Sequence, residues 1–258
     1  VTDAPPQKRP GLVPGVLSVL LLLALWTALA ALAGDPRTMP SPLAVAGRVA
    51  TLAASGELWL HAGATLGRVL ASFAIAMAVG TALGLWMGRS RAADHWLNPS
   101  LVIALNVPVL VVIVLAYIWI GLNEVAAVAA VALNKIPVTT VMLREGARAL
   151  RPDLDDMAAA FRMGWRARLR HVVLPQLAPH IAAAARAGLS LIWKIVLVVE
   201  FLGRSNGVGF KIHLLFSSFD VAGVLAWALA FVAVMLLIDL ALLRPAEARA
   251  NRWRRDEA

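Results

Sequence analysis

Six stretches of this chain, residues 12–33, 64–88, 100–120, 122–143, 180–203 and 222–243, are apolar over lengths of about 20 residues or more. That is the length of α-helix that crosses a hydrocarbon core of about 30 Å. Within lipid, backbone N–H and C=O groups find no water, so a spanning segment bonds to itself as a helix or closes into a barrel. Runs this long exceed the roughly 10 residues of a barrel strand. The expected fold is therefore all-α and integral to the membrane. A chain that is 60% hydrophobic and only 15% charged fits that class and no ordinary soluble domain. The first run follows Lys8 and Arg9 and ends in "ALAALAG", as a cleaved leader does. Its length exceeds the leader core of up to about 15 residues, so it is read as a retained span.

Six spans place both termini on one side, and the basic residues choose the side. With the N-terminus inside, the inner segments hold sixteen of the 24 Lys and Arg: Lys8, Arg9, Arg89, Arg91, seven from Arg144 to Arg170, and five from Arg244 to Arg255. The outer loops hold four: Arg37, Arg48, Arg204 and Lys211. Positive loops stay in the cytoplasm, so the expected organisation is a cytoplasmic tail 1–11, one transmembrane domain 12–243, and a cytoplasmic tail 244–258. The net charge of +9 follows from this topology and is no sign of nucleic acid as a partner. Residues 34–63, with Pro36, Pro40 and Pro42, are too interrupted to span and read as an outer loop carrying a short amphipathic helix. "GLNE" joins the third and fourth spans into a hairpin. Gly80, Gly84 and Gly88 recur every fourth residue, the pattern of a face on which another helix packs closely.

Between the fourth and fifth spans lies the segment 152–175, which includes "AAAFRMGWRARLRHVVLP" with its four arginines, Arg162, Arg166, Arg168 and Arg170. Pro152 suits a first helical position, and Asp153, Asp155 and Asp156 complement the positive end of a helix dipole. That helix is expected to run to Met163 and stop at Gly164 in a positive-φ conformation, and a second short helix is expected over Trp165–Val173. The arginines are suited to anionic lipid headgroups. The pair as a whole is suited to sit in a groove of a cytoplasmic partner and to pass that partner's movement on to the spans.

The glycine followed by "RHVVLPQLAPHI" resembles the cytoplasmic coupling motif of inner-membrane permease subunits of ABC importers. The stretch from "MPSPLAVAGRVATLAASG" to "WLNP", together with "VVEFLGRSNGVGFKI", is similar to the nitrate, sulfonate and taurine branch of that family. The likeness runs from about Pro40 to Arg244. It differs at Ala158, where the family motif usually has a glutamate, and in a shorter interval from Gly164 to Leu174. The resemblance implies a type I importer-like fold and a second copy of the chain as partner. It also implies a cytoplasmic ABC ATPase dimer that binds ATP and magnesium, and an outer substrate-binding protein. The coupling residues it implies are Ala158, Ala159, Ala160, Arg162, Gly164, Arg166, Arg168, Leu174 and Pro175. It places the chain in the bacterial inner membrane as a multi-pass subunit that is not an enzyme and carries no cofactor of its own.

The residues agree with dependence on an outside ATPase, since no G-x-x-x-x-G-K-[ST] phosphate loop occurs. An intramembrane hydrolase is not supported, because every histidine lies at a span end or in a loop, and Ser190 has no histidine partner. No H-E-x-x-H pattern points to a metal. Polar and helix-breaking residues within the spans mark a candidate path: Asn106 and Pro108 in the third, Asn134, Lys135 and Pro137 in the fourth, Lys194 and Glu200 in the fifth. Both prolines free a backbone carbonyl and are expected to bend or open their helices. Two lysines in one cavity would suit an anion. The alternative reading is a self-sufficient channel or ion-coupled transporter, which broken helices and lysines also serve.

Overall fold

The computed structural model describes residues 12–238 and 241; the predicted tails and the inner end of the sixth run lie outside them. The elements run α1 (Leu12–Ala33), α2 (Pro42–Ala54), α3 (Glu57–Arg89), α4 (Arg91–Asn106), α5 (Val109–Ile120), α6 (Glu124–Arg148), α7 (Pro152–Ala160), α8 (Trp165–Arg168), a π-helical turn (Leu169–Val173), α9 (Leu174–Gly203), α10 (Val208–Ser217) and α11 (Val221–Ile238). Among the described residues, five helices are long and apolar enough to span: α1, α3, α6, α11, and the continuous stretch Trp165–Gly203 that ends in α9.

The third run departs from the expected straight span. It is split between α4 and α5, which meet at 96°. Val107, held extended ahead of Pro108, ends α4, and Pro108 N-caps α5. α5 alone, at 12 residues, covers roughly 18 Å and so crosses only part of a bilayer. Pro137 has no such effect. α6 runs unbroken through it, with the proline ring buried against neighbouring helices that hold the axis in place.

α3 begins at Glu57, seven residues before the expected start, because Gly56 at φ +81 turns the chain directly out of α2. The amphipathic helix expected in the outer loop is α2, capped by Ser41, whose Oγ accepts from the Ala44 N–H. The α5–α6 hairpin turns at Gly121, and Asn123 caps α6.

The bundle core is α3, α6 and α9, with α5 against them. Val69, Ile113, Ala127, Val131, Ile192 and Val196 fill its middle. Leu58, Ala62, Val208, Trp227 and Phe231 close the outer end, and Leu143, Ala147, Leu177 and Ala184 the inner. The closest approach is α3 on α6. A Cβ at Gly80 would stand 2.6 Å from Thr139 Cβ, and one at Gly84 2.7 Å from the Thr140 carbonyl oxygen. Hydrogen in place of a side chain is what lets these backbones meet. α1, by contrast, buries none of its span against the other described residues, to which it is tied by a bond from Trp26 Nε1 to the Pro40 carbonyl.

Candidate functional site

Ion pairs sort into two layers at opposite ends of the helices. At the inner end, Arg144 and Arg148 of α6 both hold Asp94 of α4, at 3.1 and 2.6 Å. Asp155 of α7 accepts from Arg89 at the end of α3 (2.8 Å) and from Arg168 of α8 (2.9 Å). The basic segment is thereby fastened to the bundle. Arg151 and Asp153 pair at the start of α7, and the hydrogen bond from Arg151 holds the Asp153 carboxyl below its ordinary range. Arg151 N–H also donates to Gln176 Oε1 on α9.

The corner of this segment differs from expectation. α7 stops at Ala160, and the Met163 N–H returns to the Ala158 carbonyl while the Arg162 N–H bonds to that of Ala159, at 2.9 Å each. This pair of bonds requires a left-handed residue between them, and that residue is Arg162, at φ +49. Gly164 is left extended, at φ −61 and ψ 154, as the N-cap of α8. No separate second helix follows either. α8 continues through the π turn, where the Leu174 N–H bonds to the Leu169 carbonyl five residues back, into α9. Pro175 supplies the cause: its ring crowds a carbonyl four residues back, and a wider turn relieves the crowding.

Ala159, Ala160, Arg162, Gly164, Arg166, Leu174 and Pro175 are exposed around this corner, and Arg168 is half-buried by its pair with Asp155. The Arg166 guanidinium lies over the Trp165 ring, 5.2 Å from its centre. Ala158 is buried, so the glutamate common at that position elsewhere would need a different packing here.

The outer layer centres on a residue that sequence reasoning passed over. Arg68 of α3 uses every N–H it has. It forks onto Glu124 of α6 (2.8 and 2.6 Å), reaches Glu200 of α9 (2.5 Å), and bonds to the carbonyl and side chain of Asn206. Glu200, wholly buried, also accepts from Thr65 and from the Gly209 N–H, both at 2.9 Å. Arg204 adds a second cation on Glu124 at 2.6 Å. The Gly207 N–H closes on His61 Nδ1 and the Val208 N–H on Thr65 Oγ1. Two cations balance two carboxylates, and every group of Arg68 is satisfied, the condition under which such a cluster survives burial. The signal was depth: Arg68, Glu124 and Glu200 each lie within four residues of the outer end of an expected apolar run.

The residues expected along a path do not gather in one place. Glu200 belongs to the outer cluster. Lys135 is buried between helices, its Nζ without a hydrogen-bond partner among the described residues, against Gly188 and near Phe73. Lys194 is exposed in a groove between α9 and α11. Asn106 donates to the Val102 carbonyl of its own helix and lies exposed beside Pro108, while Asn134 is half-buried. No group of three or more His, Cys, Asp or Glu able to hold a metal occurs among the described residues.

Comparison with known proteins places this architecture. Residues 80–244 match the family described as binding-protein-dependent transport system inner membrane component. The chain is 28% identical over 255 residues to SsuC of Bacillus subtilis (strain 168), named for aliphatic sulfonates transport, covering 98% of this chain and 92% of the relative. It is 25% identical over 244 residues to the taurine transport system permease protein TauC of Escherichia coli (strain K12), covering 93% and 88%. A crystal structure of an amino acid ABC transporter with histidines shares the fold at a TM-score of 0.61 and 20% identity, covering 78% of this chain and 97% of that one.

Proposed function

Because this chain belongs to the family of binding-protein-dependent transport system inner membrane components, we propose that it is the permease of an ATP-driven importer for a small anion of the sulfonate, taurine or nitrate kind. As a member it is a non-catalytic inner-membrane subunit without a cofactor, served by an ATPase that binds ATP and by a substrate-binding protein. The solute class rests on the sulfonate and taurine relatives.

The observation that carries the mechanism is the exposed corner around Arg162. It is tied through Asp155 to α3 and runs without a break through α8 and the π turn into α9. A push on this corner is delivered to two of the three core helices, the requirement for a docking element that drives alternating access. Residues 152–175 form that element within one membrane domain of about 12–243, and Arg162, Gly164 and Arg166 face the ATPase. Two copies related by a two-fold axis present two such corners to an ATPase dimer.

The test is to extract the chain with its companions in mild detergent and reconstitute the complex in vesicles. ATP-dependent uptake of methanesulfonate, taurine or nitrate is expected only when ATPase and binding protein are present. Purification of a homo-oligomer without an ATPase, under conditions that keep related complexes intact, would return the chain to the channel or ion-coupled reading.

A further inference from the structure

Lys194 has an unusual setting for a charged residue within a span. It stands nine residues before Gly203, the outer end of α9, which places it about 14 Å down the helix and near the middle of a 30 Å core. That depth is beyond what a lysine stem can bridge to the interface. Arg68 and Glu200 at the outer end neutralise each other, and Lys135 is enclosed by protein. Lys194 is exposed, and no ion pair or hydrogen bond to it occurs among the described residues. An ammonium at this depth is costly against hydrocarbon, so its surface faces an anion or water during the cycle.

The groove it borders has a volume of about 370 Å³, within the ordinary size of small-molecule sites. Beside Lys194, one wall is α9 with Ser190, Trp193 and Leu197, and the facing wall is α11 with Phe231 and Met235. Arg186, about two helical turns nearer the inner end, borders the same groove. Trp193 and Phe231 meet edge to face, their ring centres 6.3 Å apart. With the Lys194 ammonium set among mostly apolar walls, the slot is complementary to a ligand with an anionic head and a short hydrocarbon tail.

We propose that Lys194 and the α9–α11 groove form an intramembrane subsite for the transported solute, with the lysine ammonium on the anionic head and the Trp193–Phe231 wall on the tail. The assignment rests on the reading of the chain as a sulfonate-type permease and specifies where this chain itself recognises the solute. The lysine binds the head by a charge-assisted hydrogen bond, and the aromatic wall selects for tail length. Lys135 takes no part, since its amine opens on none of this space.

The test uses the whole transporter, this chain with its ATPase and binding protein, in vesicles of pure phosphatidylcholine, and follows ATP-driven uptake of hexane-1-sulfonate and methanesulfonate. Lys194→Met is expected to reduce uptake of both about tenfold or more, and Lys194→Arg to retain most of it. Phe231→Ala keeps the charge and is expected to weaken preference for the longer tail while methanesulfonate uptake changes little. If the wild-type transporter carries neither sulfonate, the functional reading itself fails. If it carries them and Lys194→Met matches its rate and KM, the subsite is overturned while the functional reading stands. The subsite is equally overturned if uptake is unchanged but Lys194→Met loses co-purifying anionic phospholipid, detected by mass spectrometry, because the groove is then a lipid site. Should Lys194→Met fail to assemble, the tail-length ratio of Phe231→Ala decides, and an unchanged ratio overturns the proposal.

Discussion

Arg162 and Lys135 are two residues whose environments oppose their chemistry. A left-handed backbone costs a residue with a side chain about 1 kcal/mol relative to glycine, and Arg162 occupies one at an exposed corner of the molecule. Arg162→Gly is therefore expected to stabilise the end of α7 by up to about 1 kcal/mol, read as a small rise in melting temperature. If the guanidinium contacts the ATPase, the same variant loses ATP-coupled uptake despite its greater stability, and that divergence separates contact from conformation. Gly164→Val, at φ −61 with open space around it, is expected to leave the melting temperature unchanged. Lys135 keeps a buried amine with no hydrogen-bond partner among the described residues, and such a group costs about 1–3 kcal/mol in lost hydration. Lys135→Met is expected to hold or raise the melting temperature; a clear drop would mean that the amine has a partner in the assembled transporter. The glycine pattern assigns the left-handed turn to Gly164, whereas Arg162 takes it, and polarity alone puts Lys135 among the candidate path residues. Which residue turns left-handed depends on where a helix closes its last hydrogen bonds, and whether a mid-span lysine faces a groove or a neighbour depends on the rotation of its helix.

Among the elements, the α3–α6 seam was legible from its glycine spacing, because a small residue every fourth position has few uses other than close packing. Gly84 is the sharpest point to probe, since the obstruction at 2.7 Å is the Thr140 backbone, which cannot rotate away. Gly84→Val is expected to cost at least about 1–3 kcal/mol through overpacking, with a corresponding loss of melting temperature in detergent. At Gly67, on the open face of the same helix, the identical change is expected to have little effect. Less legible was the third run, whose apolar composition hides a 96° turn. The Val107–Pro108 step carries the same proline signal as Ile136–Pro137. The two differ in what packs around them: Pro137 is clamped inside the bundle, whereas Pro108 is exposed and nothing holds its helix straight.

For the molecule as a whole, the outer cluster determines which parts can move separately. Arg68, Glu124 and Glu200 join α3, α6 and α9, and through Asn206 and the Gly209 N–H they also fix the start of α10. Removing one partner of such a cluster leaves buried charge uncompensated, a loss of about 3–5 kcal/mol. Arg68→Met is accordingly expected to prevent stable assembly, and failed recovery of the folded complex in detergent would be the readout. A bond of that strength is not one to break and remake in each transport cycle. The outer ends of the three core helices therefore travel together, and in the two-copy assembly proposed above, opening toward the outside occurs between protomers. The chain contains no cysteine, so introduced ones can be labelled without background. Spin labels at Val125 and Leu202, both exposed at the outer ends of α6 and α9, should keep one distance within a protomer with and without nucleotide. Labels at Val125 on the two protomers should separate or approach as nucleotide binds. If the intraprotomer distance changed as much as the interprotomer one, the cluster would be opening, and Arg68 would have to be treated as a gate that parts during transport instead of a fixed joint.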